Sequence, residues 1–168
     1  MAQHPVSERI EVPGDFCPSV VNDERLVLMG LLTEVDGKLR RVLGAELEAS
    51  CDLPLGWLEV LVRVVRSAES RLTMSEVAAQ TVHTSGGTTR LVDRIEEAGL
   101  VRRAACPKDR RTTYVELTEL GRRRLEEATM VHLEHLEEHL TSHLSTSERS
   151  VLISALTKLN GGPAACSS

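Results

Sequence analysis

Apolar residues recur at three- and four-residue steps near both ends of the chain, as they do along one face of a helix. This spacing predicts a first helix over residues 23–50, a second over 55–67, a fifth over 119–143 and a sixth that ends near Leu159. The clearest run in the first helix consists of Leu28, Leu32, Val35, Leu39, Val42 and Leu43. Shorter elements are predicted in the segment between these helices.

The middle of the chain carries the start and stop signals of two short helices. Thr73 and Glu76 form a capping box, in which a hydroxyl and a carboxylate bind the free amides at a helix start. The helix that they begin should end near Gln80. A second helix follows over residues 84–98, and Gly99 suits the position just past its end. Two short helices joined by a tight turn predict a helix-turn-helix.

A β-hairpin is predicted directly after these two helices. Residues 100–103 form a short apolar and basic strand, and residues 112–117 alternate as a second strand. The connecting residues 104–111 contain Pro107 and several charges, which suit an exposed loop. The order helix, turn, helix and basic hairpin predicts a winged helix-turn-helix.

Thr118 is suited to cap the start of the fifth helix. A second capping box, formed by Ser145 and Glu148, is suited to begin the sixth. These two helices and the first carry apolar faces that a small winged lobe cannot cover, so they should pack against each other and against a second copy of the chain. The predicted fold is mainly α, of the α+β type, with a winged helix-turn-helix lobe, a two-stranded wing and a helical dimerisation lobe. The expected organisation is a flexible arm over 1–22, a first dimerisation helix over 23–54, a DNA-binding lobe over 55–118, C-terminal dimerisation helices over 119–160 and a disordered tail over 161–168.

The charge distribution points to a nucleic-acid partner for one lobe. The net charge of the chain is −5, yet residues 71–124 hold 11 Lys and Arg against 7 Asp and Glu. A basic middle between acidic flanks is typical of a DNA contact that is confined to one lobe. Only 2% of the residues are aromatic, which argues against single-strand recognition by base stacking.

Other classes of protein find little support in the composition. The four cysteines are scattered without a Cys-x-x-Cys pair, which is typical of reduced thiols in the cytoplasm. The polar N-terminus has no apolar run that could target or span a membrane. No catalytic motif is present, so an enzyme is not expected and no cofactor is required.

The helix over residues 84–98 has the features of a major-groove reader. Its two opening glycines would allow the backbone to approach DNA, with the helix N-terminus facing a phosphate. The charged loop that follows can enter the minor groove, and Asp109 should orient a neighbouring arginine, with Arg94 the first choice. The predicted DNA-binding residues are Thr84, Ser85, Gly86, Gly87, Thr88, Thr89, Arg90, Arg94, Lys108, Asp109, Arg110 and Arg111.

Several motifs stand in a characteristic order, namely Trp57–Leu61, Met74–Ala78, Thr89–Glu96, Gly99–Val101, Asp109–Arg111 and Leu117–Thr118. Over residues 25–160 the chain thereby closely resembles the MarR family of winged helix-turn-helix regulators. The resemblance implies a sequence-specific repressor that binds a near-palindromic operator in double-stranded DNA as a homodimer. It also implies that recognition helices enter successive major grooves, and that Arg111 enters a flanking minor groove while Asp109 holds the wing.

The resemblance also implies that a signal releases the protein from DNA, often a small phenolic or anionic ligand. Such a ligand would occupy a cleft between the two lobes, lined here by residues near Trp57 and by Arg40 or Arg41. For Trp57, core packing is favoured over a role as a ligand platform. Alternatives within the same fold are a metal-responsive or a redox-responsive regulator.

A row of histidines is the most unusual feature of the fifth predicted helix. His132, His135, His139 and His143 fall within a narrow stripe at helical spacing. His135 and His139 could share a Zn²⁺ ion, the row could respond to pH, or it could simply border an interface. The redox candidate is Cys106, whose thiol is flanked by basic residues.

A winged-helix module that binds a protein partner instead of DNA remains an alternative. Charge reversal at Arg90 and Arg111 would separate the two classes, because a protein-interaction module should keep its partner without DNA.

Overall fold

A computed structural model describes residues 22–67, 69–80, 85–105 and 112–161. The chain divides into two compact units, residues 1–38 and residues 39–168. The described part of the first unit consists of Asn22, Asp23 and the N-terminal portion of helix α1, whose side chains are mostly exposed. The winged lobe and the C-terminal helices belong to the second unit.

The helices lie close to the positions that the sequence predicts. They are α1 (Glu24–Cys51), α2 (Leu55–Arg66), α3 (Met74–Gln80), α4 (Ser85–Glu97), α5 (Glu119–His139) and α6 (Thr146–Leu159). Both predicted capping boxes are confirmed, since Glu76 accepts from the Thr73 amide and Glu148 accepts from the Ser145 amide. No helix in the described part of the chain is long and apolar enough to cross a membrane.

The sheet contains one strand more than the sequence predicts. Strands β1 (Arg71–Thr73), β2 (Val101–Ala105) and β3 (Thr113–Leu117) form an antiparallel sheet in the order β1-β3-β2. Val101 pairs with Leu117 across the hairpin. The predicted two-stranded wing is confirmed as β2 and β3. The third strand, β1, was not predicted, because it spans three residues and is too short for an alternating pattern to reveal it.

The core of the second unit lies where α2, α4 and the sheet converge. Its innermost side chains come from the apolar faces of these elements and from the C-terminal part of α1, and include Leu47, Leu61, Val64, Val92, Ile95 and Val115. Burying each such side chain contributes roughly 1.5–3 kcal/mol relative to leaving it in water. The same core supports the helix-turn-helix and the hairpin, so their relative positions are fixed by packing.

Helix α5 ends earlier than the predicted residue 143. It stops at His139, and a single 3₁₀ turn over Thr141–His143 follows. The hydroxyls of Thr141 and Ser142 donate to carbonyls of the preceding turn, and such bonds compete with continued helix. His143 therefore does not continue the histidine stripe of α5.

The first turn of α5 lies against the chain between α4 and β2. Thr118 caps the helix by accepting from the Gly121 amide at 2.9 Å, and its hydroxyl donates to the Gly99 carbonyl at 2.6 Å. A Cβ placed on Gly121 would lie 1.9 Å from the Leu100 carbonyl oxygen. Only glycine permits this approach, so Gly121 sets the distance between α5 and the base of the hairpin.

We expect Gly121→Ala to destabilise the protein by about 1–3 kcal/mol or more, because the methyl group meets backbone that cannot rotate away. The measurement is the free energy of unfolding in urea. Gly56→Ala is the matched control, since a Cβ at Gly56 in α2 meets nothing within 4 Å. Equal stabilities of the two variants would contradict this account of the α5 contact.

Candidate nucleic-acid interface

Helix α4 is amphipathic, with one face in the core and the other in solvent. Thr88, Val92 and Ile95 are buried, as expected for residues one and two turns apart. The opposite face exposes Arg90 and Arg94, which lie one turn apart. Packing of the first face therefore fixes the direction in which the two guanidinium groups are presented.

The predicted DNA-binding residues of α4 differ in how exposed they are. The predicted DNA contact of Thr88 is corrected, because its side chain is 1% exposed and a buried hydroxyl cannot reach a base edge. Thr89 is exposed and Gly87 is half-buried, while Ser85 and Gly86 begin the first turn of α4. The predicted site residues outside the described part of the chain are Thr84, Cys106, Lys108, Asp109, Arg110 and Arg111.

Arg94 contacts an aromatic ring of the neighbouring helix. Its guanidinium carbon lies 5.9 Å from the centre of the Trp57 ring, within the range of a cation–π interaction. The predicted partner Asp109 lies outside the described residues, so that pairing remains a prediction. The contact with Trp57 links α4 to the start of α2.

The strands at the base of the hairpin carry two arginines that sequence reasoning missed. Arg102 donates to Glu116 on β3 at 2.9 Å, where the two residues are direct cross-strand partners. Arg103 points to the other face of the strand and binds Asp93 and Glu96 of α4. Alternation along a strand could have assigned the two arginines to opposite faces, but only the fold identifies their partners.

A cavity of about 440 Å³ opens beside Trp57. Its lining residues are Glu48, Asp52, Leu53, Pro54, Trp57, Arg94, Ala98, Leu100, Leu120 and Arg124. Trp57 thus borders a cavity, and its role in binding a ligand remains a prediction. Arg40 and Arg41 are not part of this lining, and Arg40 instead donates to Glu59 at 2.8 Å.

Two of the predicted histidines share a carboxylate of α1. His139 Nε2 lies 2.8 Å from a Glu46 oxygen, and His135 Nδ1 lies 3.7 Å from the other oxygen. Within the described ranges, no three His, Cys, Asp or Glu side chains are arranged to hold a metal ion. The zinc site remains a prediction, and Glu46 is a carboxylate that lies beside both of its proposed histidines.

His132 lies one turn before His135 and is partly buried. Burial lowers the pKa of His132 below its ordinary value of 6.5, the neighbouring His135 lowers it further, and Glu59 acts in the opposite direction. The His132 Nδ1 atom is buried and has no hydrogen-bond partner among the residues that the structure describes. Protonation would therefore place an unsatisfied cationic donor beside another histidine.

We expect His132 to make the folded protein less stable in acid. Because its pKa is lower in the folded state, the unfolded chain binds the proton more tightly, and stability falls as the pH drops from about 7.5 to 5.5. His132→Gln should flatten this dependence, measured as the unfolding free energy at several pH values. The exposed His143→Gln is the control, and an equal slope in the wild type and His132→Gln would refute the assignment.

Comparison with known proteins agrees with this architecture. Residues 52–112 match the MarR family. The chain is 29% identical over 129 residues to YdgJ, an HTH-type transcriptional regulator of Bacillus subtilis (strain 168), covering 77% of this chain and 76% of that protein.

Solved structures extend the similarity beyond the matched segment. AbsC, a MarR family regulator of Streptomyces coelicolor, superposes with a TM-score of 0.73 at 27% identity, over 83% of this chain and 93% of that one. Sco3205 of the same organism, solved in complex with DNA, gives 0.72 at 25% identity, over 82% and 89%. A mutant of MarR from E. coli, complexed with operator DNA, gives 0.70 at 27% identity, over 82% and 96%. The family match, the curated relative and the solved structures together support a MarR family winged-helix transcriptional regulator, which this chain resembles over about four fifths of its length.

Proposed function

We propose that this protein represses transcription by binding a near-palindromic operator as a homodimer, and that a small ligand releases it. The observation that carries the proposal is the exposed face of α4, where Arg90 and Arg94 lie opposite a fully packed face. A helix presented in this way fits the major groove, and arginine is the side chain that most often reads guanine there. The two relatives solved with DNA support the same partner.

The wing completes the proposed contact. Residues 106–111 lie between β2 and β3 in the sequence and include Lys108, Arg110 and Arg111. Arginine is favoured in the narrow minor groove because the negative potential is strongest there. One subunit would therefore contact a major groove through α4 and the adjacent minor groove through Arg111.

Apolar surface supports the proposed homodimer. Helix α6, which is described over its whole length, has no buried residue yet exposes Val151, Leu152, Ile153, Leu156 and Leu159. In the other unit, α1 exposes Leu26, Val27, Leu28, Met29, Leu31 and Val35. Apolar patches of this kind mark interaction surfaces, and a second copy of the chain brings matching faces to both units.

The cavity beside Trp57 supports release by a ligand. Its lining includes one aromatic ring, the acids Glu48 and Asp52, and the cations Arg94 and Arg124. The ring and the two arginines are the groups that would bind a planar anion of the phenolic acid type. Because Arg94 belongs to both the cavity and α4, an occupant would compete with DNA for the position of this side chain. Zinc bound near His135 and His139, or oxidation of Cys106, are the alternative signals.

We expect Arg90→Ala and Arg111→Ala each to weaken operator binding by about 1–3 kcal/mol, the loss of one groove contact. The measurement is an electrophoretic mobility shift with DNA from upstream of the protein's own gene, or with sites selected from random DNA. Arg41→Ala, which removes an exposed arginine of α1, should bind like the wild type. If wild-type protein selects no sequence from random DNA, the proposed function is wrong.

The same assay separates the candidate signals. Salicylate tests the anionic ligand, Zn²⁺ and EDTA test the metal, and peroxide tests Cys106. Release by salicylate that Trp57→Leu abolishes would assign the cavity as the ligand site. Release by Zn²⁺ or peroxide alone would favour the corresponding alternative.

We expect Leu156→Asp to shift the protein from dimer to monomer and to weaken operator binding at least tenfold, because a buried carboxylate in an apolar interface has no partner. Sedimentation velocity measures the oligomeric state. Ser147→Asp is the control, since it adds the same charge to the exposed first turn of α6, where a helix tolerates an acid. A Leu156→Asp variant that remains dimeric would remove α6 from the proposed interface.

A further inference from the structure

Strand β2 is tied to the recognition helix α4 through a single arginine. Arg103 Nη2 donates to Asp93 Oδ1 at 2.6 Å, and Nη1 donates to Glu96. The backbone amide of Arg103 also donates to Glu96 Oε1, at 2.8 Å. One residue of the hairpin therefore holds two carboxylates of α4, by side chain and by main chain together.

The main-chain bond occupies the free edge of the sheet. β2 is an edge strand in the order β1-β3-β2, and the amide of Arg103 points away from β3 toward α4. An edge amide without a partner strand is otherwise left to water or to another chain. The Glu96 carboxylate takes that place, so the edge of β2 is fixed to the helix beside it.

The contact between Arg103 and α4 lies close in the chain to the proposed DNA-binding part of the wing. Ala105, two residues after Arg103, is the last residue of β2, and residues 106–111, which include Arg111, follow it directly in the sequence. Asp93 and Glu96 lie in the same helix as Arg90 and Arg94. The three contacting side chains thus connect the helix that carries one proposed DNA contact to the strand that leads to the other.

We propose that Arg103, Asp93 and Glu96 are positioning residues for DNA binding, which hold the wing at the distance from α4 that allows both to contact one duplex. The proposal rests on the DNA-binding function proposed above. The Arg103 guanidinium is engaged by two carboxylates and its side chain is only 27% exposed, so a phosphate would have to displace existing ion pairs. Arg103 acts through the wing and not as a contact of its own.

Glu96 gives a test in which positioning and simple electrostatics predict opposite results. Removing a negative charge from a DNA-binding lobe should strengthen binding to a polyanion. Removing a positioning contact should weaken it. Glu96→Gln keeps the size of the side chain, and Glu97→Gln removes the same charge from the adjacent exposed residue of α4.

The experiment measures affinities for a site selected from random DNA by the wild-type protein, at fixed salt and at a temperature where circular dichroism shows every variant folded. We expect Glu96→Gln and Arg103→Gln each to weaken binding about tenfold, and the double variant to bind no worse than the weaker single one. Glu97→Gln should bind as tightly as the wild type or more tightly.

A second measurement separates positioning of the wing from a general loss of stability. Arg111→Ala should cost much less affinity in the Glu96→Gln background than in the wild type, because the wing contact is already impaired, whereas the cost of Arg90→Ala should stay the same. Equal costs of Arg111→Ala in both backgrounds, or tight binding by Glu96→Gln, would overturn the positioning role while leaving DNA binding intact. If the wild type selects no site, both proposals fall together.

Discussion

The close approach of α5 to the Leu100 carbonyl is the constraint on which the winged lobe depends. Gly99, with a φ of +73°, turns the chain sharply at the end of α4, and Thr118 binds this turn while beginning α5. Gly121 then allows the helix backbone to reach the turn. The recognition helix α4, the hairpin and helix α5 therefore contact one another at this turn. A side chain added at Gly121 would displace all three.

Local signals in the sequence located most of the helices. The capping boxes at Thr73 and Ser145 each depend on residues three apart, so the prediction needed no knowledge of the fold. The end of α5 was misplaced because the leucine and histidine periodicity continues past His139, while hydroxyls at Thr141 and Ser142 terminate the helix. Periodicity identifies a face, but local hydrogen bonds decide the boundary.

The candidate site was less accessible to sequence reasoning. The exposed positions of Arg90 and Arg94 follow from the helical period, whereas Thr88 lies on the buried side of the same helix. The contact between Arg103 and Glu96 joins residues seven apart across a turn, and no propensity or motif specifies such a pair. Contacts made between elements depend on how those elements pack, which the pattern along one element does not record.

The geometry around Trp57 gives the protein a built-in optical reporter. Trp57 is the single tryptophan of the chain, and its ring lies beneath the guanidinium of a recognition-helix residue and on the wall of a cavity. Indole fluorescence responds to a nearby cation and to the polarity of its surroundings. The tryptophan emission of the unlabelled protein therefore comes entirely from the point where helix α4, helix α2 and the cavity adjoin.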